Sequence, residues 1–525
     1  MRTIPRPGAT IEALLDMMME GLIIALLVFT PLAFGTVQTW ALCLAQAGIT
    51  VVFGLWLCRL IWSRPASRPA RTFVVADTSF NLLGYHFIRT GLGIPAAAFV
   101  ALVLLQLVPL PPGAVRLASP AAAEVFSRAL PGYADGLPTD FTAAEAWLIP
   151  GAQPEVVPAL LGVEGDLPID ADVSFSASRP VSLYPFATWG RLLTLVSLLM
   201  IFVVTAHCLQ SPVQQERVCW IVTLTGFGMS VLGVLQLLAW NGRIYWFYPV
   251  PDDASPFGPF LNHNHFAAYL EMAIPLALAV FVIHVRRGRP AASPLVLSGF
   301  SAVVMLATLS LAGSRGAILS LTAASLIYGA VMIARRQVGR LEWSVAAGAV
   351  AAALLFSAWV GGERLTQMAT RLQSMAHFEQ EPSLSARLVT WASTLRIVGD
   401  YPVTGAGLGT FAEACIHYYP PGTASVWREA DNDYLQIAAE MGIPGILVVA
   451  AGLAVFLRRF LFRSPAAEQG AASSSVSIHH GMAIGILAIL LHESIDFSLQ
   501  VGAIALLFVA LSGLMVGGTV RREGA

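Results

Sequence analysis

Long apolar runs alternate with short polar connections along most of this chain, and each run has the length that crosses a hydrocarbon core, about 20 residues. About twelve such runs are predicted to be membrane-spanning helices: Gly21–Val37, Trp40–Ile61, Ile94–Leu110, Thr188–Ala206, Arg217–Trp240, Asn264–Val285, Pro294–Ala312, Arg315–Ala334, Trp343–Val360, Asp433–Phe456, Ser477–Phe497 and Gln500–Gly517. Two polar excursions interrupt the pattern, at Pro111–Ala187 and Glu363–Gly445. The expected organisation is therefore three helices in 1–110, an acidic segment in 111–187 and six helices in 188–360. A polar loop follows in 361–432, then three helices and a tail in 433–525.

Within the second excursion Leu384, Leu388, Trp391, Leu395 and Val398 recur at three- and four-residue steps, the period of an amphipathic helix. Such a helix is expected to lie along the membrane surface with its apolar stripe inward. It carries Arg387 and Arg396, and Gly399-Asp400-Tyr401-Pro402 ends it, because proline disfavours helix at the preceding residue. The first excursion is rich in Pro, Ala and acidic residues, which suits a solvated spacer or a small lid. In Asn241–Asn264, prolines 249, 251, 256 and 259 forbid a helix, and Tyr245, Trp246, Phe247 and Tyr248 suit an interfacial aromatic belt.

Composition sharpens the class. The 525 residues are 56% hydrophobic and 12% charged, against about a quarter charged in soluble chains; this is an all-α polytopic membrane protein. All basic residues are arginine, and they concentrate in alternate connections. By the positive-inside rule both termini face the cytoplasm and both excursions face outward. No small-residue cleavage site follows the first run, so it is expected to remain as a span. The five cysteines are scattered and show neither metal-ligand spacing nor a disulfide framework. No metal, cofactor or nucleic-acid partner is expected.

Polar residues at the outer ends of the spans supply the candidate chemistry. Arg315, in Gly313-Ser314-Arg315-Gly316-Ala317, begins the eighth span. An arginine near hydrocarbon is costly and is a functional candidate by default, and a helix start also presents free N–H groups to an anion. Arg191, near the start of the fourth span, adds positive charge at the same depth or anchors at the interface. Asn262-His263-Asn264-His265 opens the sixth span, with Glu271 about two turns deeper. Its histidines point to different faces, which argues against a shared metal and for capping plus hydrogen bonds to a polar ligand. Asp431-Asn432-Asp433 precedes the tenth span, where a carboxylate caps the helix or serves as a base. His492, Glu493 and Asp496 cluster near the outer end of the eleventh, as groups lining a cavity do. Gly405-Ala406-Gly407-Leu408-Gly409 lacks the strand-turn-helix setting of a dinucleotide site and is expected to allow a tight turn or a close approach.

Arginines and carboxylates thus converge on the outer face. That polarity suits an enzyme acting on a lipid-linked anion: arginines clamp a diphosphate and stabilise the charge that builds as it leaves, and a base deprotonates the acceptor.

The order N-H-N-H-F-A-A-Y-L, G-S-R-G-A, R-L-V-T-W, G-A-G-L-G-T-F, N-D-Y-L-Q-I-A-A-E-M-G-I-P-G and H-E-S-I-D-F-S-L-Q, from about Arg191 to Leu499, resembles the O-antigen ligase and polymerase superfamily. The resemblance implies a metal-independent, GT-C-like membrane glycosyltransferase with a large periplasmic loop bearing amphipathic helices. It implies transfer of a glycan from a polyprenyl diphosphate to a lipid or glycan acceptor, lipid A-core or a growing polysaccharide, at the outer face of a bacterial inner membrane. By motif, Arg315 and Arg387 hold the diphosphate, with Arg191 as a further cation. Asp431, Asn432 and Asp496 form the catalytic set, and His263, His265 and His492 contact substrate. One departure stands out: Asn432, Gly442 and Gly445 fit the ligase pattern, but Asp431 occupies the position of its histidine. Ligase and polymerase readings both remain, beside a lipid-linked sugar transporter, for which Glu271 is the nearest midplane charge, and an inactive scaffold.

Overall fold

Away from water only intrahelical hydrogen bonds satisfy the backbone, so long apolar runs fold as helices. The computed structural model describes residues 7–62, 79–82, 85–88, 90–130, 133, 178–251, 254–287, 292–335, scattered positions from 341 to 355, 382–420, 426–462 and 473–523. Among them nine helices are long and apolar enough to cross a membrane. They lie in α1 (Pro7–Leu32), α2 (Thr39–Trp62), α6 (Pro185–Cys208), α7 (Pro212–Leu238), α8 (His263–Arg286), α9 (Ala292–Ala312), α10 (Arg315–Ala334), α13 (Asp433–Phe456) and α14 (Ser473–His492). The expected third and twelfth spans appear as shorter apolar helices, in α3 (Gly93–Gln106) and within α15 (Gly502–Glu523). Of the ninth, Trp343–Val360, only scattered positions are among the described residues. The protein is an all-α multi-pass membrane protein.

Helix α8 is the axis of the bundle, nearly wholly buried and packed by α7, α9, α10, α14 and α15. Lipid is as apolar as leucine, so close backbone approach rather than apolar burial drives such packing. Gly481 and Gly485 of α14 lie directly on the α8 backbone at Pro275 and Met272.

Outside the bundle, α4 (Pro112–Ala118), α5 (Pro120–Ala129), α11 (Pro382–Asp400) and α12 (Phe411–Cys415) share a second core around Phe126, Ile397, Tyr401 and Phe411. The first excursion thus contributes two packed helices; most of its acidic remainder lies outside the described residues.

The surface helix α11 divides between a protein-facing side and an outward side. Leu388 and Leu395 are exposed, while Thr390, Ser393, Thr394 and Ile397 form the buried face. Hydroxyls are tolerated there because each finds a carbonyl: Thr390 Oγ1 donates to Ala386 O (3.1 Å), Thr394 Oγ1 to Thr390 O (2.7 Å) and Ser393 Oγ to Tyr418 O (3.0 Å). Leu388 and Leu395 of the apolar stripe thus face away from the protein, while Val398 packs on the second core.

The proline-rich connection forms an antiparallel ribbon, Arg243–Ile244 with Tyr248–Pro249. Its aromatic quartet divides. Tyr248 receives a hydrogen bond from Gln38 (2.9 Å) and Tyr245 donates to Leu32 O (2.5 Å), docking the ribbon on the α1–α2 turn. Trp246 and Phe247 remain exposed. A second ribbon pairs Ser79–Leu82 with Tyr85–Ile88.

Helix α13 is kinked at Gly442 (φ 67°, ψ −173°), two residues before Pro444. The carbonyls freed above the kink are taken by the glycine loop. Ala406 N donates to Ala439 O (2.9 Å) and Gly407 N to Glu440 O (3.0 Å). A β-carbon on Gly405, itself at φ 67°, would lie 2.1 Å from Glu440 O. The glycines thus serve backbone-on-backbone docking onto α13.

Candidate functional site

One end of the bundle gathers the starts of α8, α10 and α13 with the end of α14 and the connection 493–501. Each start is capped by a side chain the sequence supplies. Asn262 Oδ1 accepts from Asn264 N (2.8 Å), Ser314 Oγ from Ala317 N (3.4 Å), and Asn432 Oδ1 from Leu435 N (3.0 Å). Asn432 also donates to Ser494 O (2.7 Å), tying α13 to the end of α14.

Asp496 is the centre of this cluster. Its side chain is 2% exposed, and its Oδ1 accepts from Phe497 N (2.8 Å). Around it stand Arg387 Nη2 (3.6 Å), His265 Nε2 (3.8 Å) and His492 Nε2 (3.9 Å). Burial alone would raise its pKa, but the positive field of His492, His265 and Arg387, with the Phe497 N–H, holds it below the ordinary carboxylate range.

Arg387 reaches a second carboxylate, Asp431, at 3.8 Å from Nε. Asp431 keeps 36% of its side chain exposed and sits at a backbone φ of 51°. Asp, Asn and His are the non-glycine residues most enriched in that left-handed region, so this bend accepts an aspartate in place of a histidine. Burial pushes the Asp431 carboxyl up to about 6, opposed by Arg387 and reinforced by Asp496. The two carboxylates facing Arg387 are thus driven apart.

Arg315 begins α10 and is half-buried. The turn that carries it closes on the cluster: a β-carbon at Gly316 would stand 2.8 Å from His492 Nε2. His492 Nδ1 lies 2.8 Å from Glu271 Oε1.

Not every expected residue joins this group. Arg191 pairs with Glu429 (3.3 Å), two residues before Asp431, and its stem packs on Gly409. His263 meets Ser255 Oγ (2.9 Å) on the ribbon side, whereas His265 turns to Asp496, as their spacing demands.

Several supporting groups complete the site, and of these Gln106, Gln436 and Glu429 were not singled out by pattern. Glu440 accepts from Gly409 N (2.7 Å), Phe411 N (3.3 Å) and Gln436 Nε2 (3.1 Å). Gln106 donates to Thr404 O (2.7 Å) and Glu440 O (2.8 Å) and accepts from Leu408 N (3.0 Å). Gln436 bridges Glu429 (2.5 Å) and Ala430 N (2.9 Å). These bonds hold the glycine loop and the 429–431 turn on α13. Glu493, buried against Asp433, is held well above the carboxylate range by burial and by that charge. Asp433 Oδ1 accepts from Gln500 Nε2 (3.0 Å). A lone polar residue in an apolar run, such as Gln106, was the available signal.

No group of three or more His, Cys, Asp or Glu fit to hold a metal occurs among the described residues. Chemically, the cluster offers a guanidinium with two carboxylates of unequal basicity, plus two histidines, at the mouth of a helix bundle. The family model described as O-antigen ligase matches residues 300–450. That range holds Arg315, Arg387, Asp431 and Asn432, and leaves Arg191, His265, His492 and Asp496 outside it. The search of curated proteins finds no match.

Proposed function

We propose, from the match of residues 300–450 to the family model described as O-antigen ligase, that the chain is a member of the O-antigen ligase and polymerase superfamily and transfers a glycan from a polyprenyl diphosphate to an acceptor hydroxyl. The observation that carries the reading is the divergence of two carboxylates at one arginine. Asp496 is held ionised, and Asp431 is pushed up to about 6. Environments that drive neighbouring titratable groups apart assign acid–base roles.

In this scheme Arg387 and Arg315 hold the donor diphosphate. Asp431 takes the proton of the acceptor hydroxyl. The hydroxyl oxygen attacks the anomeric carbon, a new C–O bond forms, and the bond to the diphosphate breaks with its electron pair leaving on phosphate oxygen. The guanidinium forks offset that developing charge. Asp496 keeps its charge and orients Arg387. A histidine's ordinary pKa is about 6.5, so an aspartate at about 6 supplies nearly the same basicity; this supports Asp431 as a working replacement for the family's histidine. Arg191 and Asn432 act one step back, steadying the turn that presents Asp431, and His265 and His492 border the donor's path.

The site is assigned to the outer face of a bacterial inner membrane, with both termini cytoplasmic, which rests on the arginine pattern of the connections. Ligation to lipid A-core and polymerisation of repeat units share this chemistry. Purified protein given a polyprenyl diphosphate glycan, with lipid A-core or with a second donor, tests both. Product with wild type and none with Arg315→Ala or Arg387→Ala is expected; undiminished turnover by either variant sinks the mechanism. Which acceptor yields product separates ligase from polymerase.

A further inference from the structure

The transfer scheme gives Glu271 no task. Glu271 lies in α8 with no solvent contact, and an ionisable group at such depth is costly enough to be functional by default. Its Oε1 stands 2.8 Å from His492 Nδ1. Neither carboxylate oxygen of Glu271, nor His492 Nδ1, completes a hydrogen bond of good geometry among the described residues, so the 2.8 Å approach is a charge contact.

What one imidazole nitrogen binds sets the orientation and role of the other. Contact with Glu271 therefore turns the His492 ring so that Nε2 faces Asp496, 3.9 Å away. Gly316 closes the same edge, since a β-carbon there would reach both Nε2 (2.8 Å) and Cδ2 (3.1 Å). The ring is 1% exposed and is hemmed in on both sides.

Asp496 is in turn shared. His492 Nε2 (3.9 Å) and Arg387 Nη2 (3.6 Å) compete for its Oδ2, while His265 Nε2 lies 3.8 Å from Oδ1. Arg387 also faces Asp431 at 3.8 Å. Neither contact is the close fork-to-carboxylate pair, which sits at about 2.8 Å. A carboxylate that closed on the fork would occupy the donors an incoming anion needs.

We propose that Glu271 is a positioning residue: acting through His492, it holds Asp496 back from Arg387 and keeps the guanidinium open to a diphosphate. The identity of the anion rests on the glycan-transfer reading; the Glu271–His492–Asp496–Arg387 chain rests on the distances above.

The test uses full-length protein in detergent and a radiolabelled polyprenyl diphosphate without glycan as the binding probe. Wild type, Glu271→Gln, His492→Gln and the double variant are compared for binding, and for the split between donor KM and kcat in transfer. Glu271→Gln keeps the side-chain shape and removes the charge. Each single variant is expected to bind about tenfold more weakly, and the double variant no more weakly than either, because the two residues act in series. The transfer defect is expected to fall on donor KM more than on kcat. Unchanged binding by Glu271→Gln overturns the proposal, as do losses that multiply in the double variant or a defect confined to kcat. Should Glu271→Gln fail to accumulate as a monodisperse species, His492→Gln carries the same expectation, and wild-type binding by it is equally fatal. No binding by the wild type overturns the glycan-transfer reading and this proposal with it; wild-type binding that survives Glu271→Gln overturns this proposal alone.

Discussion

Replacing Asp431 by asparagine removes a charge and a proton acceptor while keeping the side-chain size, so it separates basicity from shape. With the carboxyl at about 6, about a tenth of it is ionised at pH 5 and about nine-tenths at pH 7. Transfer limited by this base therefore rises with pH, about tenfold between those values, and levels off above pH 7. Loss of a positioned general base costs about 10²–10⁴-fold, which is the drop expected for Asp431→Asn. Asp431→His should restore most of the rate, with the rise centred near the histidine value of about 6.5, because the left-handed bend at φ 51° suits either residue. Stability should move the opposite way. A carboxyl whose pKa is raised on folding stabilises the fold below its unfolded value of 3.8, and that contribution is lost as pH rises through about 6. Asp431→Asn is therefore expected to unfold at a higher temperature than wild type at pH 7, and the gap should close towards pH 4. The assay is initial-rate transfer from pH 4.5 to 8, paired with thermal unfolding in the same detergent. A flat wild-type pH profile, or an asparagine variant that turns over at the wild-type rate, would refute the assignment.

Gly405→Ala places a β-carbon 2.1 Å from Glu440 O at a backbone φ of 67°, a clash with backbone that cannot be relieved by a rotamer. It is expected to cost about 1–3 kcal/mol and to expose the 401–411 loop to protease, measured by thermal unfolding and limited proteolysis; wild-type resistance would contradict the docking described. Glu440→Gln keeps the shape but puts an amide beside the Gly409 and Phe411 N–H groups. Leaving one of those buried N–H donors facing an amide NH2 costs about 1–3 kcal/mol, and the melting temperature should fall accordingly. Saturating EDTA is expected to leave the rate unchanged, as the metal-independent scheme requires; loss of activity restored by a divalent cation would overturn that part.

Much of the fold was legible as pattern because the bilayer imposes one rule on every span. Long apolar runs must be helices, and their lengths and spacing are visible without knowing any neighbour. The positions of Arg315, Asp431 and Asp496 at the ends of such runs were visible for the same reason, since charge there is exceptional. Asn432 announced a helix start, and the spacing of His263 and His265 announced their divergence.

What the tertiary structure alone decided is which of these residues meet. Arg387 and Asp496 are more than a hundred positions apart in the chain, and only packing brings them to 3.6 Å. The same packing sends Arg191 to Glu429 and His263 to the ribbon. In α11 periodicity finds a face but not what that face meets: its hydroxyls find carbonyls within the protein, and Leu388 and Leu395 are left outward. Glu271 was visible as an odd charge in an apolar helix, but its partner His492 lies on another helix more than two hundred residues away. The basicity of Asp431 was beyond sequence for the same reason, because desolvation and the fields of Arg387 and Asp496 exist only once the chain has folded around them.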